Sequence, residues 1–351
     1  MEVRVVTRCY VTESGYCPHC GQRPRSRHEG QVSDAHGAAG LHLGPNVLAL
    51  ASDLKHRLGV PFEKLSDVLE THFGFAVTRS GLCRADARLA QYAEPVYQQL
   101  VQAMRSACVV HVDETGWRIG VLSAWLWVFT QKQMTVYAID ESRSHEVVVE
   151  ILGKEFRGVL TCDCFTAYDH AELSDWLQQK CLAHLLEDLK HMRQGKLGRA
   201  LAFAKELTWL FESAIKLKEL KPDSDPAWYR REARKVERHL DQLITQRRQF
   251  SDPDNARMAK RLRKQRKHLL RFLHHDEVEA TNNLAERMLR PAVIIRKTGR
   301  CNKTERGART HAILASVFAT CRQQGRHLAP FVTQLLLGQA PCLCAPTARP
   351  P

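Results

Sequence analysis

The chain has 351 residues, which is enough for two or three domains with a sizeable apolar core. Its 52 Lys and Arg residues outnumber the 38 Asp and Glu residues and give a net charge of +14. This balance favours a polyanionic partner, most simply nucleic acid, although a soluble basic protein without such a partner would have the same composition. The lack of any apolar run of about eighteen residues argues against a membrane span.

The N-terminus and the cysteines indicate the compartment. The first residues are polar and show no signal-peptide pattern, which is typical of a cytoplasmic protein. The 12 cysteines are scattered through helix-like and strand-like stretches. Such a distribution predicts reduced thiols rather than the disulfide framework of a secreted protein.

Residues 1–30 contain a short cysteine knuckle, Cys17-Pro-His-Cys20-Gly. This spacing can present two thiolates to one Zn²⁺. Cys9 or His28 could complete a tetrahedral site, but their spacing is irregular. An incomplete finger, or free thiols beside a basic loop, explains the same residues. Residues 31–44, rich in Gly, Ala and Ser, predict a linker.

Residues 45–100 show helical periodicity interrupted by turns at Gly59-Val60-Pro61 and Gly74-Phe75. Three helices with a turn before the last resemble a helix-turn-helix. The third helix, predicted from Leu82 to Tyr92, would present Arg79, Arg84 and Arg88 to DNA. An ordinary helical packing layer explains the pattern equally well.

From Cys108 the periodicity changes to that of strands. Three strands forming an antiparallel meander are predicted at Val109–Val112, Leu122–Thr130 and Met134–Ile139. A short helix, 144–152, precedes another apolar strand, 158–162. Two buried strands therefore end on carboxylates, at Asp113 and Asp163. Residues 180–184 predict one more strand that leads into a helix.

Residues 185–275 are almost wholly helical in pattern, with a break at 221–226. Helices are predicted at 185–192, 200–220, 227–250 and 255–274. The last helix contains a basic run with no acidic residue at helical spacing inside it, which favours phosphate contact over a solvated, paired face. The basic residues are Arg257, Lys260, Arg261, Arg263, Lys264, Arg266 and Lys267.

After this region, Thr281-Asn282-Asn283 predicts a cap for a helix that carries Glu286 and that Pro291 interrupts. Arg296 and Lys297 are predicted to lie in a basic loop. Two apolar helices follow, at 308–324 and 328–337. The Pro-rich residues from Pro341 predict a disordered tail.

Asp113, Asp163 and Glu286 form the candidate catalytic set. Three carboxylates brought together by a sheet and a helix can hold two divalent ions for an in-line phosphoryl displacement. Oxygen ligands of this kind favour Mg²⁺ or Mn²⁺. The alternative makes the two aspartates turn residues and Glu286 a surface charge. Adjacent side chains of a strand point to opposite faces, so only one of Asp113 and Glu114 can face the metal ions.

Several stretches together resemble the transposases of the insertion-sequence-66 family. They are HVDETGWR, WLWVFT, GVLTCDCFTAYDH, KCLAHLLEDLKH, TNNLAERMLRPAVIIRKTGR and ASVFATCRQQGR, with the CPHCGQ knuckle before them. The similarity covers roughly Cys17 to Leu337. Longer relatives carry a coiled-coil-like segment and a further cysteine pair upstream of the knuckle, so a short-form member is expected.

The resemblance implies an α+β or α/β protein with a ribonuclease-H-like core interrupted by an all-α insertion. Its expected parts are the knuckle (1–30), a helical DNA-binding region (45–100), two core segments (105–184 and 276–300) around the insertion (185–275), C-terminal helices (301–340) and the tail (341–351). Asp113, Asp163 and Glu286 match the DDE triad of the family and would bind two Mg²⁺ ions. Glu114, His184 and Arg290 would lie around them, although His184 could equally be a structural core histidine.

The implied activity is metal-dependent DNA cleavage and strand transfer at the ends of an insertion sequence. Element ends and target DNA would be the substrates. A homo-oligomer on paired ends, accessory proteins of the same element and association with the nucleoid are further expectations. Three other readings remain open: an inactive DNA-binding relic, a ribonuclease-H-like nuclease without strand transfer, and a zinc-finger regulator.

Overall fold

The computed structural model of the protein describes residues 5–33, 42–245, 249–299, 301–339 and 342–344. Its centre is a five-stranded mixed sheet surrounded by helices, so the α+β class is confirmed. The strands are β1 (Val109–Ile119), β2 (Leu122–Gln131), β3 (Met134–Asp140), β4 (Val159–Cys162) and β5 (Leu177–Lys180). None of the helices in the described ranges is both long and apolar enough to cross a membrane.

The sheet order is β3-β2-β1-β4-β5. The first three strands form the predicted antiparallel meander, in which Asp113 pairs with Val128. Strand β4 pairs in parallel with β1, with Val109 opposite Val159 and His111 opposite Thr161. Strand β5 pairs in parallel with β4. Parallel neighbours place their carboxyl ends at the same edge, which is where the candidate site lies.

The helices are α1 (Pro45–His56), α2 (Phe62–Phe73), α3 (Arg79–Arg105), α4 (His145–Leu152), α5 (Leu182–Met192), α6 (Gly198–Glu219), α7 (Pro226–Ile244), α8 (Pro253–Leu269), α9 (Asn283–Gly299), α10 (Glu305–Gln323) and α11 (Leu328–Leu336). Helices α3, α4, α10 and α11 pack with one face of the sheet in the main core. Helices α5 to α8 enclose a second core, which contains Val159 of β4.

The third helix is much longer than predicted. The interpretation of residues 82–92 was wrong at both ends, since α3 begins after the Thr78 cap and continues through Pro95 to Arg105. Burial of Val96, Leu100 and Met104 against the sheet outweighs the hydrogen bond that Pro95 cannot donate.

Strand β1 also extends beyond its predicted end at Val112. It continues through Asp113 to Ile119 because β2 supplies an antiparallel partner for every residue from His111 onward. Only the parallel pairing with β4 stops before the aspartate. The predicted strand at 180–184 was likewise misplaced, since β5 ends at Lys180 and α5 already contains His184.

The helix carrying Glu286 is not interrupted by Pro291. It runs on to Gly299, so Arg296 and Lys297 lie on α9 and not in a loop. Arg296 donates hydrogen bonds to Thr115 Oγ1 and to the Gly116 carbonyl, which fixes this end of the helix on β1.

Gly59 permits the close approach of α1 and α9. Its φ is +71°, and a Cβ there would lie 2.9 Å from Cγ1 of Ile295. Both the backbone conformation and the contact therefore require glycine. The turn after α1 is thus packed directly against the helix that carries Glu286.

Two predicted segments lie largely outside the described residues. The linker at 31–44 is described only at 31–33 and 42–44, and the tail from Pro341 only at 342–344. In the tail, Leu343 is buried and its carbonyl accepts a hydrogen bond from Gln324. Leu343 is therefore packed against the protein, whereas Cys342 beside it is exposed.

Candidate active site

Asp113 and Asp163 lie side by side at the carboxyl edge of the parallel pair. Each follows the last parallel register pair, His111 with Thr161, by two residues. Strand alternation turns Val110 and Val112 into the main core and Asp113 towards the opposite face, with Trp117 and α9. Their proximity is also seen in the pKa of Asp113, to which the Asp163 charge contributes.

Burial raises the pKa of Asp113 to about 7, and the neighbouring Glu114 charge adds to the effect. No described cation forms a salt bridge with either aspartate. One oxygen of each carboxylate accepts a backbone hydrogen bond, from Glu114 N to Asp113 Oδ1 and from Phe165 N to Asp163 Oδ1. The charges of the two aspartates repel each other, and the charge of His184 on α5 offsets part of this repulsion at Asp113.

Glu286 reaches the same edge from the first turn of α9. Its Oε1 lies 3.9 Å from Nε2 of His184 on α5. The His184 charge interacts with Asp113, Asp163 and Glu286, which places this ring among all three carboxylates. The pKa of His184 is raised to about 9, mainly by its hydrogen bond with Cys181 and further by the two acids nearest to it.

A protonated His184 is a cation and not a metal ligand at neutral pH. Cys181, His184 and Glu286 do lie within 4.8 Å of one another, a donor set of the kind that binds Zn²⁺. The oxygens of Asp113, Asp163 and Glu286 are instead the donors that Mg²⁺ and Mn²⁺ prefer. Among the described residues, these three do not form a set whose oxygens all lie within 4.8 Å of one another. Joint binding of a pair of hard divalent ions, with His184 beside them, therefore stays a prediction.

Asn282 fixes the three elements in place, and the sequence reasoning credited it only with a capping role. The side chain is fully buried. Its Nδ2 donates to the Val112 carbonyl at 2.8 Å, and its Oδ1 lies 3.2 Å from His111 Nδ1. Its backbone N–H donates to Cys181 Sγ, and its carbonyl accepts from Glu286 N. One residue thus joins β1, the start of α5 and the Glu286 helix.

Glu114 has a different environment from Asp113. Tyr168 donates its hydroxyl hydrogen bond to Glu114 Oε2 at 2.8 Å, and Arg143 contacts Oε1 at 2.9 Å. The carboxyl side chain is only 2% exposed. The Arg143 guanidinium is itself stacked between the rings of Trp125 and Phe165. Glu114 is therefore a paired structural anion; neither Arg143 nor Tyr168 was identified from the sequence.

Two comparisons bear on this geometry. A family model described as "Transposase IS66 family" matches residues 40–310, which is well over half of the chain. The chain belongs to the IS66 transposase family. An uncharacterized protein, y4qI, of Sinorhizobium fredii (strain NBRC 101917 / NGR234) is 22% identical over 353 residues and covers 90% of this chain. The chain spans 64% of the length of that relative.

The basic run on α8 of this IS66-family chain has acidic partners after all, but they come from other elements. Arg261 pairs with Asp188, Lys264 with Asp169, and Arg266 with Asp241. Within α8, Arg257 pairs with Asp254. Arg263 and Lys267 donate to backbone carbonyls of Ile244 and Ser174. Only Lys260 of the run has no such contact with a described residue.

The other predicted DNA-contacting residues are placed as follows. Arg79, Arg84 and Arg88 are exposed along the first half of α3, which follows α2 through the Gly74 turn. Lys297 is exposed on α9, whereas Arg296 is engaged by β1. Arg290 is exposed one turn beyond Glu286. Contact of these side chains with DNA stays a prediction.

The knuckle forms a small hairpin, with a bridge between Ser14 and Arg25 and a turn closed by Gly21 N to the Cys17 carbonyl. Hydrogen bonds from Cys20 lower the pKa of Cys17. In the described residues, neither Cys9 nor His28 joins Cys17 and Cys20 in a cluster of three metal-binding groups. His28 instead contacts the Tyr10 ring and accepts a hydrogen bond from Gly30 N. Zinc binding here stays a prediction.

Proposed function

We propose that the protein is a DDE transposase that cleaves DNA at the ends of an insertion sequence and joins the freed 3′-hydroxyl to target DNA. The observation that carries the proposal is the electrostatic interaction of His184 with Asp113, Asp163 and Glu286. Family membership supports the same role.

A ribonuclease-H-like core is the architecture that accompanies this proposal. The strand order 3-2-1-4-5, in which β2 alone runs antiparallel to the other four strands, supports it. Helices α5 to α8 would then be the insertion between the second aspartate and the glutamate. Helices α1 to α3 would form the helix-turn-helix-like region, with α3 as the DNA-reading helix.

Two divalent ions at this site would activate the attacking hydroxyl and stabilise the leaving oxygen. Asp113 and Asp163 would hold them from adjacent strands, and Glu286 would complete the set from α9. Asn282 would keep the strand and the helix in register. A positively charged His184 would offset negative charge that develops on the scissile phosphate. The protein's contribution is therefore positioning and charge compensation.

The decisive test is Asp113→Asn in an assay of strand cleavage and of strand transfer from a pre-cut 3′ end, with Mg²⁺. Loss of a metal-holding carboxylate should reduce both reactions by at least about 10³-fold. Affinity for DNA, measured in EDTA, should stay within about twofold of wild type. The matched control is Asp140→Asn on β3. Full cleavage by Asp113→Asn would refute the proposed triad.

The same assay separates the remaining candidates. A nuclease without strand transfer would hydrolyse DNA but yield no joined product from the pre-cut end. A relic would bind DNA and yield neither product in the wild-type form. Oligomerisation on paired ends and the participation of accessory proteins remain expectations of the proposed transposase role.

A further inference from the structure

Helix α7 carries a row of arginines that the sequence pattern did not distinguish. Arg230, Arg234 and Arg238 are spaced four residues apart and are all exposed. Residues with this spacing lie on one face of a helix, at intervals of about 6 Å along its axis. The opposite side of α7, with Tyr229, Ala233 and Leu240, packs into the core of the α5–α8 region. We call Arg230, Arg234 and Arg238 the α7 stripe.

The α7 stripe has no anionic partner in the described chain. No acidic side chain pairs with Arg230, Arg234 or Arg238, and Arg238 donates only to the Arg234 carbonyl of its own helix. The acids close to the stripe are already engaged. Glu232 pairs with Lys235 and Arg231, and Glu237 pairs with His274.

Helix α8 shows what a satisfied basic run looks like in the same region. Four of its cations form ion pairs with acids, as described above, although its sequence is more densely basic than that of α7. Charge density along the sequence therefore points to α8, whereas uncompensated charge lies on α7. An uncompensated arginine row leaves guanidinium groups available for an external anion.

The stripe lines an open groove between α7 and α8. Five arginines line this groove, including Arg231 and Arg266, against two acids, Glu237 and Asp241. Asp241 is neutralised by Arg266. A concave surface with net positive charge concentrates a polyanion along its length.

We propose that the α7 stripe is a binding surface for the phosphate backbone of double-stranded DNA. The composition of the groove favours a duplex over other polyanions. Single strands are bound by aromatic side chains that stack on bases, and none of the described residues that line this groove is aromatic. Anionic membranes bind basic helices whose apolar face inserts into lipid, and the groove has no large apolar residue either.

The surface would act independently of the carboxylate site. Guanidinium–phosphate contacts fix the position of a duplex without reading its sequence. The stripe would therefore hold DNA flanking the reacting position and would raise affinity for any sequence. Because binding needs no divalent ion, it can be measured in EDTA, where failure of the proposed catalytic role has no influence on the result.

The test is the salt dependence of binding to a duplex of about 30 base pairs of arbitrary sequence. The full chain is compared with the triple variant Arg230→Gln, Arg234→Gln, Arg238→Gln. Each lost phosphate contact removes about 0.9 from the slope of log K against log [salt], so the slope should become shallower by about 2 to 3. Affinity at about 0.15 M salt should fall at least ~10-fold. Gln preserves helix propensity, and no described ion pair is broken.

The charge-matched control removes three exposed cations elsewhere: Lys132→Gln, Lys154→Gln, Arg157→Gln. Of these, Arg157 pairs with Glu155 on the surface. The same charge change there should leave the slope close to wild type. A stripe variant with the slope of the control would overturn the proposal. Two other results would overturn it. One is that the full chain binds a single strand more tightly than the duplex and that the stripe variant loses this binding. The other is that the stripe variant loses binding to phosphatidylserine vesicles while its binding to the duplex is unchanged.

Discussion

Asp113 and Glu114 are adjacent in the chain but face two very different regions of the molecule. Glu114 points into the main core and meets Arg143 and Tyr168, which account for both of its oxygens. Asp113 points to the other side and meets Asp163, with no described cation bridging it. Two buried carboxylates can thus have opposite functions, and the supply of counterions decides which one is available to a metal.

The same lesson applies to the basic residues. The run on α8 is neutralised by Asp169, Asp188 and Asp241, all distant in sequence. The three arginines of the α7 stripe have no acidic partner among the described residues. For the acids and for the arginines alike, a charged side chain without a salt bridge in the folded chain is available to bind an external ligand.

The largest expected effect on stability is a gain from Asp113→Asn. The folded-state pKa of Asp113, about 7, lies above the ordinary value of 3.8. Its charge therefore destabilises the fold increasingly as pH rises from about 4 to 7, and the destabilisation is complete above pH 7. Asn carries no charge. Without divalent ions at pH 8, the variant should be more stable by on the order of 2–4 kcal/mol in urea unfolding. Mg²⁺ should shrink the difference by stabilising wild type.

A lower stability of Asp113→Asn at pH 8 would contradict the view that this face is electrostatically incomplete. The pH series provides the control, since the two proteins should converge near pH 4.

The second prediction concerns the residue that holds the Asp113 face together. Asn282→Ala removes partners from the Val112 carbonyl and from His111, both buried, and should cost about 2–3 kcal/mol in unfolding free energy. Because Glu286 would no longer be held in position relative to β1, cleavage should fall by about 10²-fold even where the fold persists. Asn283→Ala, at the next, exposed position, is the control. Equal effects at the two positions would exclude the proposed clamp.

The third prediction addresses the Glu114 face. Glu114→Ala leaves Arg143 and Tyr168 without their shared acceptor and should destabilise the protein by about 1–3 kcal/mol. A double-mutant cycle with Arg143→Ala should give a positive coupling energy. Additive losses would mean that the ion pair is not the stabilising contact. Residual cleavage should follow the folded fraction, unlike that of Asp113→Asn.

The smallest effect at neutral pH is expected at His268 on α8, whose contribution changes only in acid. Burial lowers its pKa to about 4, with further contributions from Lys180 and Lys267. The folded-state pKa is thus below the unfolded value of 6.5, so the folded state binds fewer protons. Stability is complete above pH 6.5 and is lost as pH falls towards 4. His268→Leu should make the melting temperature less dependent on pH between about 4 and 6.5. An unchanged pH dependence would rule out this contribution.

Elements with strong local patterns could be predicted from the sequence. The short helix predicted at 144–152 is α4, with Ser144 as its N-cap, and the strand periodicity identified the three meander strands. Errors arose where tertiary packing overrode local signals. Proline did not end α3 or α9, because buried side chains on both sides of Pro95 and Pro291 keep those helices in the core.

The candidate acids could be chosen from the sequence, but their surroundings could not. A strand ending near an aspartate is visible in sequence, whereas the register of β1 on β4 is a property of the sheet. Asn282 offered only its position before a helix as a signal. The partners of Glu114 lie 29 and 54 residues away, beyond the reach of any local spacing argument.

The central claim is that Asp113, Asp163 and Glu286 share one metal site. Anomalous diffraction from crystals soaked in Mn²⁺ tests it directly. We expect one or two peaks within about 2.0–2.6 Å of oxygens from all three carboxylates, and none at Glu114. Peaks at Glu114, or at Cys181 and His184 without the aspartates, would contradict it.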